Sequence, residues 1–321
     1  MLRCAILDDY QNVALSIADW SPLEGEVETT VFNDYLPDHA ARVAALKDFD
    51  LIVAMRERTR FDAALLKELP RLRLLVTTGM YNASIDMAAA EEQGIVVCGT
   101  GGIPAPPAEL AWGMILSFAR NLPQEFADFR AGAKWQPRMS LDLAGRRLGI
   151  IGFGKLGSRV AKVGTAFNMD VVAWSRSLTD EKAEEEGISR AATLEWLLET
   201  SDFVTIHLPL NPSTRGLIGA RELRLMKPTA FLINTSRGPI VDESALMEAL
   251  NEHRLGGAGL DVFSQEPLPP DHPLRTTDRL LGTPHIGFVT EGGYRVFYGE
   301  AVEDIQAWLK GAPVRRVAAR K

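Results

Sequence analysis

The chain has 321 residues, 46% of them hydrophobic and 24% charged, a composition that suits a folded globular protein of about two ordinary domains and leaves little room for disorder. Acidic side chains outnumber basic ones, 42 to 35, for a formal net charge of −7, so no broad electrostatic footprint for nucleic acid is expected. No apolar run approaches the ~18 residues needed to span a bilayer, and the opening MLRCAILDDY reaches acid too early for a secretory leader; the expected location is the cytoplasm, with no membrane partner.

Short apolar, β-branched runs at Cys4–Leu7, Leu51–Met55, Leu72–Val76 and Ile95–Cys98 read as strands, with helical patterns at Ala41–Leu46 and Ala63–Leu69 between some of them. Cys4 and Cys98 lie inside two of these runs, too few and too far apart for a thiolate metal site, and read as buried structural thiols. The Gly/Pro-rich stretch around Gly102 marks a crossing point, followed by an amphipathic helix over Ala108–Arg120. Residues 121–145 read as irregular, either an arm over a neighbouring surface or a plain loop. A second series of strands follows at Leu148–Ile151, Val171–Trp174, Phe203–Ile206, Ala230–Ile233 and Gly257–Leu260, with a helix at Glu243–Asn251. The alternation predicts parallel α/β layers arranged as two separate sheets. The basic cluster of Arg315, Arg316, Arg320 and Lys321 reads as a frayed, solvated end.

The strand at Leu148–Ile151 runs into Gly152-Phe153-Gly154-Lys155-Leu156-Gly157, then a helical pattern, then a second strand. In that context G-x-G-x-x-G carries a mechanism. Gly152 permits the tight turn, Gly154 lets backbone approach a pyrophosphate, Gly157 allows close helix-to-strand packing, and the helix start supplies unpaired N–H donors. The same stretch nearly spells a phosphate loop of the G-x-x-x-x-G-K type, but Leu156 stands where a hydroxyl must meet magnesium, which disfavours nucleoside triphosphate hydrolysis. The acid expected after the second strand to hold a ribose 2′-OH is absent. Ser175-Arg176-Ser177 stands there instead, and Arg176 suits a 2′-phosphate, so the expected coenzyme is NAD(P) with a tilt toward NADP.

Three further stretches sit near predicted strand ends, where open α/β sheets place ligands: Asn234-Thr235-Ser236-Arg237-Gly238, then Gly259 to Pro267 with Asp261 and Glu266, then Thr283-Pro284-His285-Ile286-Gly287. Taken singly, Arg237 reads as a surface ion pair, Glu266 as a solvated acid and His285 as a polar side chain after proline. Together, in this order behind the glycine loop, they resemble the D-isomer-specific 2-hydroxyacid dehydrogenases over essentially the whole chain. Thr78-Gly79-Met80-Tyr81-Asn82 is similar to that family's substrate loop, and Gly132-Ala133-Lys134-Trp135 to its dimer arm.

Reducing a 2-keto acid needs a hydride donor, a proton for the developing alkoxide, and a cation for the carboxylate and carbonyl. His285 is the candidate acid/base, Glu266 the partner of its other ring nitrogen that favours the imidazolium, and Arg237 the planar fork for the carboxylate. The resemblance implies that Asp261, Gly287 and the turn bearing Thr235 line the nicotinamide side, and that His207-Leu208-Pro209 lines the coenzyme. It also implies that backbone N–H groups around Thr78, Gly79 and Met80 receive the substrate carboxylate. It further implies two Rossmann- or flavodoxin-like lobes with parallel sheets. On the same resemblance, residues 102–286 are expected to form a coenzyme domain inserted into a discontinuous substrate domain of residues 1–101 and 287–321, with a hinged cleft between them, and the protein is expected to be a homodimer.

Glyoxylate or hydroxypyruvate is the substrate type expected first. The competing reading is a coenzyme-sensing corepressor-like interaction protein on the same fold, and a third is a methyltransferase using the glycine loop, which the Arg/Glu/His set weakens. His39, His253 and His272 lack such company and are expected to be exposed; no cluster has zinc-ligand spacing, and the serine-hydrolase elbow G-x-S-x-G is absent.

Overall fold

The computed structural model describes residues 1–318, and the chain divides into two compact units, Met1–Ile103 with Val289–Lys321, and Pro104–Phe288. Arg320 and Lys321 of the basic end lie outside the described residues.

The first unit holds a five-stranded parallel sheet of β1 (Leu2–Ile6), β2 (Val27–Val31), β3 (Leu51–Ala54), β4 (Leu74–Thr77) and β5 (Val96–Gly99), in the order β2-β1-β3-β4-β5. Every residue of β3 and β4 is buried, as expected of strands covered on both faces. Asp38, Asp62 and Asp86 each cap a helix by accepting the amide three residues on, satisfying a donor that the first turn leaves unpaired. Cys4 and Cys98 are buried free thiols on β1 and β5. β2 was not legible as a strand, because its sequence VETTV alternates buried and exposed positions at the sheet edge and carries little apolar signal.

The basic end departs from the frayed tail that was expected. Arg315 donates to Asp304, Glu303 and the Glu300 carbonyl at 3.0, 2.9 and 2.8 Å. The backbone beside it continues the sheet past β5, with the Gly99 amide on the Arg315 carbonyl at 3.0 Å and the Val317 amide on the Val97 carbonyl at 2.9 Å. Three acids on the helix Glu291–Leu309 give the guanidinium a partly buried site that a solvated end would lack.

The second unit holds a seven-stranded parallel sheet: β6 (Arg147–Ile151), β7 (Asp170–Trp174), β8 (Ser189–Arg190), β9 (Phe203–Ile206), β10 (Phe231–Asn234), β11 (Gly257–Leu260) and β12 (Leu280–Gly282), in the order β12-β11-β10-β9-β6-β7-β8. Alternate residues feed two cores on its two faces. Ile151, Val172 and Leu232 join one, and Ile150, Val171 and Ile233 the other. The order reverses beside β6, whose neighbours are β7 and β9, and this is the point where open α/β sheets form a ligand crevice.

Residues 121–145 contain a helix, Leu122–Ala131, where irregular chain was expected. None of its residues is buried, and Phe126 and Phe129, three apart on one face, are exposed, so this helix packs no apolar stripe against the core of its own chain. Among the described residues, no helix is long and apolar enough to cross a membrane, and no group of three His, Cys, Asp or Glu residues could hold a metal ion.

Candidate active site

The turn after β6 is built as its glycines require. Gly152 has φ +95, and an added Cβ would sit 2.6 Å from the His207 carbonyl oxygen, so no other residue fits without moving the backbone. At Gly157 a Cβ would meet the Gly152 carbonyl oxygen at 2.3 Å, which fixes the helix Lys155–Ala166 close against the strand. The amides of Lys155, Leu156 and Gly157 open this helix and have no acceptor among the described residues. They carry the positive end of a 12-residue helix.

In front of the turn lies a cavity of about 380 Å³ lined by Gly152, Phe153 and Gly154 after β6, Trp174 to Ser177 after β7, and His207, Leu208 and Pro209 after β9. The loop continuing from Pro209 adds Ser213, Thr214 and Leu217 to the wall. Sequence reasoning missed these three; the signal was the Asn211 to Thr214 turn, closed by the Thr214 hydroxyl on the Pro209 carbonyl at 2.7 Å. Arg176 is exposed on the rim and makes no ion pair with any described residue, while the Ser175 and Ser177 hydroxyls stand 3.5 Å apart beside it.

Nδ1 of His207, in this wall, and Oγ1 of Thr235, on the turn after β10, are buried polar atoms without partners among the described residues. Nε2 of His207 meets the Thr205 hydroxyl at 2.9 Å, and burial lowers the imidazole pKa to about 4, so the ring is neutral at ordinary pH. An orphaned buried nitrogen in a cavity wall fits a site that a polar ligand completes. With the open helix start, it gives the cavity the donor set a dinucleotide needs.

Arg237, Glu266 and His285 follow β10, β11 and β12, three adjacent parallel strands whose carboxyl ends bring the three loops to one edge. Arg237 is partly buried. Its Nη1 donates to the Ser236 carbonyl at 2.8 Å, and the Asn234 carboxamide donates to the Arg237 carbonyl at 3.0 Å. Glu266 bridges two elements: Oε1 accepts the Phe263 amide at 2.8 Å, and Oε2 meets His285 Nδ1 at 2.5 Å. The ring of His285 also lies edge-on to Phe288, with centroids 5.3 Å apart. With Nδ1 taken by the carboxylate, Nε2 is the nitrogen left to exchange a proton.

His285 itself has φ +52, a left-handed backbone that a residue of this size holds only when its surroundings fix it. Asp261 supplies the fixing. Its carboxylate accepts the Thr283 hydroxyl at 2.6 Å and the amides of Ile286 and Gly287 at 2.8 Å each. Burial pushes its carboxyl above the ordinary value, against those three donors.

In the first unit the substrate-loop residues follow β4. Thr78, Gly79 and Asn82 are buried and Met80 and Tyr81 exposed. Two of the amides expected to receive a carboxylate are engaged internally: Thr78 N–H donates to the Ala54 carbonyl at 3.0 Å, and Gly79 N–H to the Thr100 hydroxyl at 2.9 Å. The Met80 amide has no acceptor among the described residues. Sheet geometry explains the difference, since Thr78 still extends the ladder with β3 and the chain turns away only beyond Gly79. Of the other histidines, His39 is exposed but paired with Glu68 at 2.9 Å, His253 is exposed, and His272 is half-buried and caps Leu274.

The family described as D-isomer specific 2-hydroxyacid dehydrogenase, NAD binding domain, matches residues 112–287. D-3-phosphoglycerate dehydrogenase of Methanocaldococcus jannaschii is 36% identical over 314 residues, 97% of this chain and 58% of that protein. Glyoxylate reductase of Aeropyrum pernix is 41% identical over 263 residues, 78% of each. The crystal structure of a phosphoglycerate oxidoreductase from Vibrio cholerae superposes with a TM-score of 0.92 at 35% identity, covering 97% of this chain and 100% of that one. The chain thus spans well under two thirds of the archaeal phosphoglycerate dehydrogenase. A match at this identity along nearly the whole sequence, joined to a glycine turn opening on a crevice and an Arg/Glu/His set on neighbouring strand ends, places the chain in the D-isomer specific 2-hydroxyacid dehydrogenase family.

Proposed function

We propose that the protein reduces a small 2-keto acid to its D-2-hydroxy acid with NAD(P)H, and runs the reverse oxidation. One observation carries the reading: Glu266 holds His285 by Nδ1 at 2.5 Å and leaves Nε2 for the substrate. The amides opening the helix after Gly154, together with Arg176, His207 and Thr235, would hold the coenzyme, whose dihydronicotinamide when bound supplies the hydride that reduces the keto carbon. His285 gives a proton from Nε2 to the carbonyl oxygen, so the C=O π bond becomes C–O–H and the imidazole is left neutral. Arg237 holds the carboxylate and polarises the carbonyl, concentrating positive charge where the alkoxide develops. Asp261 keeps the His285 turn in place. In the first unit, the Met80 amide is the substrate-loop donor left for a carboxylate, in place of those of Thr78 and Gly79.

The relatives named above are reductases and dehydrogenases, which favours turnover over coenzyme sensing by a corepressor-like protein. Oxidation of reduced coenzyme against a panel of 2-keto acids, glyoxylate and hydroxypyruvate first, tests the reading; tight coenzyme binding without turnover of any of them would support the sensor. The exposed, unpaired Arg176 and the lack of an acid after β7 support NADP as the preferred coenzyme. Arg176→Ala is expected to raise KM for NADPH about tenfold and leave that for NADH nearly unchanged. A wild-type preference for NADH overturns this part.

A homodimer fits the helix Leu122–Ala131 and the segment after it, where Phe126, Phe129, Trp135 and Met139 are 64, 74, 76 and 93% exposed. Phe126 and Phe129 stand three residues apart on one helix face, and large apolar side chains clustered in this way mark an interface. Sedimentation should give a dimer for the wild type and a monomer for the doubly substituted Phe126→Asp, Phe129→Asp chain. A monomeric wild type at micromolar concentration would count against the assembly.

A further inference from the structure

We infer that Asn82 is the positioning residue of the substrate loop: its carboxamide ties the loop after β4 to the loop after β3 and thereby sets the direction of the Met80 amide. Asn82 is 6% exposed. Its Nδ2 donates to the Arg56 carbonyl at 2.6 Å and to the Thr77 hydroxyl at 2.8 Å, and its Oδ1 accepts the Ser84 amide at 2.8 Å. Both carboxamide hydrogens are engaged within the protein, so the side chain acts through the loop and offers no donor to a ligand.

The loop it grips is under tension on the other side. Arg56 has φ +50, a left-handed conformation that a long side chain adopts only under restraint. Its amide is held by the Thr78 hydroxyl at 2.8 Å, while its carbonyl is held by Asn82. The residues between these anchors are Gly79, Met80 and Tyr81, and Met80 is half exposed.

This inference rests on the reading that the Met80 amide receives a substrate carboxylate, so its test uses a ligand that needs no turnover. Oxalate has the outline of a 2-keto acid and cannot be reduced at a keto carbon. Its affinity for the coenzyme-loaded full chain is measured by titration calorimetry for the wild type, Asn82→Asp and Thr77→Val. Asn82→Asp keeps shape and loses both donors; oxalate binding should weaken about tenfold or more, with KM for the keto acid rising by a similar factor. Saturating turnover and coenzyme affinity should stay within about threefold, a split that a general loss of folded protein does not produce.

Thr77→Val removes one acceptor only and should weaken oxalate by about threefold, which keeps the test open if Asn82→Asp fails to fold. Oxalate affinities unchanged in the folded variants overturn the inference, as does a wild type that does not bind oxalate. A wild type whose oxalate affinity depends on Asn82 yet which reduces no keto acid leaves the inference standing and removes the proposed reaction.

Discussion

Turnover of the His285→Ala variant should fall by about 10²–10⁴-fold, the range over which positioned general acids act, while its affinity for reduced coenzyme stays near that of the wild type. The expectation follows from the way the imidazole is held. Its Nδ1 is fixed by Glu266 at 2.5 Å, Glu266 is in turn fixed by the Phe263 amide at 2.8 Å, and the backbone is fixed in its left-handed turn by the Asp261 carboxylate. Alanine removes the proton donor and leaves the Asp261 bonds to Ile286 and Gly287 available, so the turn has no cause to collapse. The cavity before the glycine turn is lined by other loops and should bind coenzyme as before. Stopped-flow oxidation of the reduced coenzyme gives the first quantity and fluorescence titration the second. A variant that turns over near the wild-type rate would remove His285 from the chemistry.

The glycine turn was legible because its chemistry is local: the strand, the turn and the helix start are contiguous, and each glycine has a reason readable from neighbours in sequence. Arg237, Glu266 and His285 were read together only through their order behind the glycine loop and the family this resembles, and parallel topology brings their three separated stretches to three adjacent strand ends. What was not legible depends on tertiary bookkeeping of donors. Thr78 and Gly79 carry amides like any others, and only the β3 ladder and the Thr100 hydroxyl show that they are engaged. Asn82 read only as one residue of the substrate loop, because the loop after β3 that its carboxamide reaches is distant in sequence. The helix Leu122–Ala131 was missed although Phe126 and Phe129 keep helical spacing, because the polar character of residues 121–145 read as irregular chain and the helix buries none of its residues. Arg315 looked like part of a charged tail because its three acids lie on a helix that sequence alone does not fold back onto it.

Arg237→Lys should lower kcat/KM for the keto acid by about 10²-fold although the positive charge is kept, a loss comparable to removing one preorganised donor from a developing oxyanion. The reason lies in how many jobs the guanidinium does at once. One arm, Nη1, donates to the Ser236 carbonyl at 2.8 Å, and this bond aims the planar group from a turn whose backbone is held by the Asn234 carboxamide at 3.0 Å. A guanidinium keeps a fixed fork geometry that matches a carboxylate beside a carbonyl. An ammonium has three donors on a rotating stem and cannot hold the turn and present a flat pair together. Because the turn is also secured by Asn234, the lysine variant should fold, with a melting temperature close to the wild type. If the fork mainly binds the carboxylate, KM rises while kcat is preserved; if it also stabilises the alkoxide, kcat falls with kcat/KM. The second pattern is expected, since Arg237 is assigned both roles, and kinetics indistinguishable from the wild type would leave its charge without a part in the reaction.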